Sequence, residues 1–115
     1  AWVYDAKPHA LKPVAAGDLR KLTGMQDFPA EAPLNLVYVA DAARVSRVEG
    51  EARTTLMTAD AAFIAQNVYL FCASEGLATG VRAMLDRDAL AKAIKLTPTQ
   101  MVVFAQSVGF PKKQE

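Results

Sequence analysis

The sequence contains a single cysteine and a single histidine, and this scarcity excludes several kinds of site. Cys72 has no partner for an internal disulfide, and in an apolar run we expect it to be a small buried hydrophobe rather than a nucleophile. His9 follows Pro8 in a turn, and the chain offers no partners for a Ser-His-Asp, Cys-His or two-histidine metal arrangement. We therefore expect a solvated His9, no metal site and no catalytic side chain.

Glycine-rich phosphate motifs and an excess of charge are missing as well. No Gly-x-Gly-x-x-Gly or phosphate-loop pattern occurs, which argues against a dinucleotide-binding Rossmann domain and against an NTPase. The formal net charge is +1 with acids and bases interspersed, so we expect neither a nucleic-acid partner nor an anionic membrane. No uninterrupted apolar run reaches the roughly 18 residues that span a bilayer. The chain begins with Ala1 and shows no secretory signal pattern, so we expect Ala1 to be a boundary within a longer sequence.

The most informative stretch that is present runs from Asp60 to Gly76 and predicts a helix that is apolar on nearly every face. Such a helix must be covered on all sides, inside a larger core or against another chain. Thr58 or Asp60 is its predicted N-terminal cap, and Gly76 is its predicted left-handed end. We therefore expect that a compact monomer of this length cannot bury the segment by itself, and that additional polypeptide covers it.

The remaining pattern alternates strands with helices, which indicates an α/β or α+β sheet domain. Residues 28–33 are predicted to be a loop, and residues 41–55 a mobile flap or a weak helix. The other predicted elements are a hairpin of residues 2–4 and 11–14, a short helix over 16–24 ending at Gly24, a strand at 34–40, a strand at 77–85, a helix over 86–96 capped by Asp86, and a strand at 101–108.

The chain contains, in this order, Gln66-Asn67 in the apolar helix, Gly76 to Gly80, the capping Asp86 and Val108-Gly-Phe-Pro111. These four motifs in sequence resemble the C-terminal half of the nitroreductase family of FMN-dependent oxidoreductases. The resemblance covers roughly residues 34–113, and residues 2–22 look like the mid-chain region of the family. It implies an α+β fold in which a mixed sheet is flanked by helices, with residues 1–115 forming the C-terminal portion of a single domain.

The resemblance also implies a function. Members of the family are cytoplasmic homodimers that bind FMN at the subunit interface and pass hydride from NADH or NADPH to nitro compounds, quinones or similar acceptors. By resemblance, the backbone N–H groups of Ala83 and Met84 face the flavin, with Arg82 beside them, and Lys112 and Lys113 lie near the phosphate contacts. Backbone donors suit this task because fixed dipoles stabilise an electron-rich ring without a titrating group.

Several alternatives stay open at the level of the sequence. The family often has glycine where this chain has Ala83 and Met84, and Arg82 has a surface salt bridge as its alternative role. The N-terminal half of the family supplies further flavin contacts, and no equivalent precedes Ala1. The chain is therefore a fragment, the partner of another chain, or a relative without the cofactor. The alternative function is a non-catalytic module for dimerisation or for binding a small ligand.

Overall fold

The computed structural model describes residues 1–112 of the chain, which contain five strands and three α-helices. Two short 3₁₀ turns, at Arg20–Thr23 and Ala42–Arg44, connect these elements. The bounds are β1 Trp2–Asp5, β2 Ala10–Pro13, α1 Phe28–Glu31, β3 Leu34–Asp41, α2 Gly50–Glu75, β4 Ala78–Arg82, α3 Arg87–Ala93 and β5 Gln100–Gly109.

Strand β5 is the centre of a three-stranded sheet with the order β3–β5–β4, while β1 and β2 form a separate hairpin. Apolar and polar residues do not alternate from Met101 to Val108, as expected for a strand that is covered on both faces. The predicted α+β class is confirmed, and every strand pair within residues 1–112 is antiparallel. The predicted hairpin and the predicted strands at 34–40 and 101–108 are also confirmed.

One face of the sheet packs against α3 and the first 3₁₀ turn. The centre of this core is Leu90, which is almost fully buried against Leu85, Val102 and Ala105. Asp86 begins α3 as predicted, because its Oδ1 accepts a hydrogen bond from the N–H of Ala89 at 3.0 Å. The cap and the buried leucine together fix α3 directly after the end of β4.

We expect Leu90→Ala to lower the free energy of unfolding by about 2–5 kcal/mol, because the cavity cannot close against a packed sheet. Leu90→Met keeps the apolar volume and should cost less than about 1.5 kcal/mol. Urea unfolding of the two variants measures the difference, and equal losses would show that Leu90 is not at the centre of the core.

Helix α2 covers the other face of the sheet with a stripe of mostly small side chains: Met57, Ala61, Ala65 and Cys72. The buried Gln106 joins the helix to the sheet, since its Nε2 donates to the carbonyl of Ala65 at 3.4 Å and to Thr79 Oγ1 at 3.1 Å. Its Oε1 accepts from the Tyr38 hydroxyl, and burial raises the pKa of Tyr38 to about 12. As expected, Cys72 is a small buried side chain here.

Helix α2 is longer than the sequence predicts. It begins at Gly50, so Thr58 and Asp60 lie inside the helix and the prediction that one of them caps it is wrong. Glu51, Ala52, Arg53, Leu56 and Met57 are good helix formers, and extending an existing helix is far easier than starting one. Its end is predicted correctly, because Gly76 adopts a φ of 69° and its N–H bonds to the carbonyl of Cys72.

The predictions for two short segments are also wrong. Residues 16–24 form only the one-turn segment Arg20–Thr23, and Gly24 is extended with a φ of −176° instead of left-handed. Gly17 has a φ of 88° and the Asp18 side chain accepts from the N–H of Arg20, so this local turn replaces the first turn of the predicted helix. Residues 28–31 form one helical turn where a loop was predicted.

The outer face of α2 is uncovered. Leu56, Phe63 and Leu70 follow one another at intervals of seven residues and are all exposed, as are Ile64 and Phe71. By length and composition, α2 is also apolar enough to cross a membrane, with a mean hydropathy of 1.3 over its most apolar 18 residues. The core helix of a larger soluble protein has the same character. We therefore expect either other polypeptide or a membrane to cover this face.

Candidate functional site

The candidate site is the short segment after β4, where the chain leaves the sheet. Arg82 forms the last ladder pair, with Ala105, and Ala83 and Met84 then cross to the start of α3. Arg82 and Leu85 are buried, with 7% and 5% of their surfaces exposed, whereas Ala83 and Met84 are exposed. Ala83 and Met84 are thus exposed residues between two buried side chains.

The backbone amides of Ala83 and Met84 are free to act as donors toward a ligand. Within residues 1–112, no acceptor is bonded to the N–H of Ala83 or Met84. The carbonyl of Met84 is engaged, since it accepts from the N–H of Met25 at 3.2 Å. Adjacent backbone donors on an anchored segment can stabilise negative charge that develops on a bound ring.

The Arg82 guanidinium is bonded only to neutral acceptors. It donates to the Thr23 carbonyl, to Thr23 Oγ1 at 3.1 Å, to Asn35 Oδ1 at 2.8 Å and to Ser107 Oγ at 3.0 Å. Its Cζ lies 5.6 Å from the centre of the Phe28 ring. The side chain is buried and forms no ion pair within residues 1–112, so the surface salt bridge considered for it is wrong.

Burial lowers the pKa of the Arg82 guanidinium. Arginine nevertheless keeps its proton in proteins, so the group is a buried cation at neutral pH. The sequence did not indicate its partners, because Thr23, Asn35 and Ser107 lie 59, 47 and 25 positions away along the chain. Only the folded sheet brings them together.

Lys112, one of the two lysines predicted for the phosphate, lies at a different place from Arg82. Lys112 is exposed and follows the end of β5 at Gly109, which pairs with Ala78 at the start of β4. Arg82 is at the opposite end of β4, about 13 Å away for four residues of extended chain. Lys113 lies outside the described residues.

One groove beside the sheet lies away from the candidate site. A groove of about 460 Å³ lies between β3 and α2, and its lining includes Tyr38, Arg44, Asp60 and Ile64 but none of residues 82–84. This groove therefore does not enclose a ligand at Ala83 and Met84.

The other chemistry-bearing side chains lie away from this segment. His9 lies in the hairpin, where its Nδ1 and the Tyr4 hydroxyl form a 2.8 Å hydrogen bond. In the part of the chain that the structure describes, His, Cys, Asp and Glu side chains do not gather into a group that could hold a metal ion. The backbone amides of Ala83 and Met84 are thus the groups with which this segment can bind a ligand.

Comparisons with known proteins agree on one family. The family model described as "Nitroreductase family" matches residues 3–110, so the match includes the hairpin as well as the later elements. No curated protein matches the chain significantly.

Solved structures give the same answer. A protein from Ralstonia eutropha that is classed as a nitroreductase is 38% identical to this chain, with a TM-score of 0.90, and the match covers 98% of this chain and 54% of that one. NfrA1 from B. megaterium is 23% identical with a TM-score of 0.72 over 84% of this chain and 45% of its own. A nitroreductase family protein from Clostridium novyi NT is 22% identical with a TM-score of 0.66 over 84% of this chain and 58% of its own. The chain thus spans about half the length of these proteins.

Proposed function

The chain belongs to the nitroreductase family, and we propose that it is part of an FMN-dependent oxidoreductase. Its proposed reaction passes hydride from NADH or NADPH through the flavin to a nitro compound, a quinone or a similar acceptor. The observation that carries this proposal is the pair of free amides at Ala83 and Met84, held between the buried Arg82 and Leu85.

The residues at the end of β4 fit a flavin, because its reduced ring is electron-rich and is stabilised by donors that do not titrate. When bound, FMN supplies the hydride chemistry. The amides of Ala83 and Met84 would face the ring, and Arg82 beside them would contribute positive charge. No side chain has to act as a general base in this arrangement.

We propose that residues 1–115 are the C-terminal portion of a single nitroreductase-like domain. The solved structures are roughly 1.5 to 1.9 times as long as this chain, and the groove between β3 and α2 does not include residues 82–84. A preceding N-terminal segment would supply the walls of the flavin site and the remaining flavin contacts. Lys112 and Lys113 are the candidates in this chain for contacts with the FMN phosphate.

We propose that the assembled protein is a cytoplasmic homodimer. Support comes from the bare outer face of α2, where Phe63 and Leu70 are 68% and 61% exposed in the single chain. An exposed apolar face of this kind is typical of a protein–protein interface. The uncovered side chains are then buried by the second subunit, and the flavin lies near the interface.

Purified full-length protein should be yellow, and its flavin absorbance should bleach when NADH or NADPH is added without oxygen. The absorbance spectrum and released FMN are measured on the same sample. Colourless protein that does not take up added FMN would contradict the oxidoreductase, and would favour a non-catalytic module for dimerisation or small-ligand binding.

The role of the amides is tested by Ala83→Pro, which removes one of the two N–H donors. We expect kcat of the full-length enzyme to fall by about 100-fold, the usual loss when one donor to a developing negative charge is removed. Ala83→Gly keeps the donor and is the matched control. Steady-state kinetics with NADH compare the two, and equal activities would contradict a role for this amide.

A further inference from the structure

Arg82 carries a buried positive charge that the described residues do not neutralise. The ion pairs within residues 1–112 join Asp5 to Lys12 and Asp18 to Arg20, and neither includes Arg82. A buried cation without a counter-ion is costly unless its donors are satisfied by hydrogen bonds. Here neutral oxygens satisfy the donors, so the charge is solvated by the protein without being cancelled.

The same side chain joins two segments that meet at the candidate site. It holds Thr23 through the carbonyl and hydroxyl oxygens, and two residues later the N–H of Met25 donates to the carbonyl of Met84. Between them, Gly24 lies so close that a Cβ at this position would overlap Arg82 Nη1. The stretch 23–25 is therefore packed between the guanidinium and the segment that carries the two free amides.

We propose that Arg82 is a positioning residue: it fixes residues 23–25 against Ala83 and Met84, and its uncancelled charge makes these amides a more favourable environment for reduced flavin than for oxidised flavin. This inference rests on the proposed function and assigns Arg82 a role that needs no direct contact with the cofactor. The hydrogen bonds of the guanidinium to Thr23, Asn35 and Ser107 support this role, because they fix its position.

The experiment uses full-length protein with three substitutions. Arg82→Met removes the charge and the hydrogen bonds. Arg82→Lys keeps the charge, but a single ammonium cannot span the same set of acceptors. Arg20→Met is the matched control, because Arg20 lies in the neighbouring 3₁₀ turn and donates to the Ala32 carbonyl, yet its charge is already paired with Asp18 at 2.7 Å.

Two measurements separate the two parts of the role. Hydrogen exchange in the flavin-free protein follows the amide of Met25, which should exchange at least tenfold faster in both Arg82 variants and at the wild-type rate in Arg20→Met. The midpoint potential of bound FMN should fall in Arg82→Met by about 30 mV, which is a tenfold loss of preference for the reduced form in a two-electron couple. Arg82→Lys should restore most of the potential without restoring the exchange protection.

The outcomes decide the inference separately from the proposed function. Unchanged exchange and potential in Arg82→Met would overturn it, and so would equal shifts in Arg20→Met. If Arg82→Met does not fold, Arg82→Lys still decides the exchange result. Wild-type protein that binds no FMN would overturn the proposed function and the effect on the potential, whereas the exchange measurement would still decide whether Arg82 holds residues 23–25.

Discussion

Replacing Phe63 and Leu70 together by glutamate is expected to convert the full-length protein from a dimer into a monomer that has lost its FMN. Both side chains lie on the outer face of α2, seven residues apart, and are more than half exposed in the single chain. Burying one large apolar side chain contributes about 1.5–3 kcal/mol, and a two-fold interface would bury each of them twice. The four lost contacts correspond to at least a 1000-fold rise in the dimer dissociation constant.

The charge adds to this effect, because an unpaired glutamate is costly to bury in an apolar interface. Phe63→Leu combined with Leu70→Met is the matched control, since it keeps the face apolar and close to its volume. Sedimentation equilibrium measures the dissociation constant, and the released flavin is measured in the same fractions. A double glutamate variant that stays dimeric would contradict the proposed interface, and wild-type protein recovered only with detergent would assign the face to a bilayer.

The second large effect is expected at Gly24. Adding a Cβ there would push Arg82 Nη1 away and would lie 2.9 Å from Cγ of the Pro29 ring. The guanidinium has no empty space to enter without losing hydrogen bonds, because Thr23, Asn35 and Ser107 all hold it. We therefore expect Gly24→Ala to lower the free energy of unfolding by about 2–4 kcal/mol, as expected for overpacking that also breaks a buried polar network.

Gly80 in β4 offers the matched control for this substitution. Nothing within residues 1–112 lies within 4 Å of a Cβ at Gly80, and its φ is not in the left-handed region. Gly80→Ala should therefore change stability by less than about 1 kcal/mol, and in the stabilising direction through the unfolded chain. Urea unfolding of both variants tests the pair, and a Gly24→Ala variant as stable as the wild type would show that Arg82 can move without loss.

Local signals predicted the elements of this fold that depend on neighbouring residues. Asp86 was recognisable as a cap and Gly76 as a helix end, because both act within one turn of the chain. The start of α2 was missed, since no cap marks it: the residue before it, Glu49, makes no side-chain hydrogen bond to the helix. The helix predicted at 16–24 failed because a local turn at Gly17 and Asp18 competes with it.

The candidate site was also only partly predictable from the sequence. Ala83 and Met84 were identified by resemblance, and the structure leaves their amides free, although contact with a flavin stays a prediction. The role of Arg82 could not be predicted from the sequence, because arginine is usually exposed and its acceptors are distant in the chain. The separation of Lys112 from this segment could not be predicted either, because it follows from the antiparallel pairing of β4 with β5.

The sequence by itself determined that this chain builds an α+β sheet and that the apolar helix needs a cover, because periodicity and hydrophobicity are properties of consecutive residues. Only the tertiary structure decided that one buried cation, Arg82, joins residues from β3, β4, β5 and a 3₁₀ turn beside two free amides. The physical reason is that burial and hydrogen bonding of a charge depend on which distant strands become neighbours, and pairing of strands is fixed only when the sheet forms.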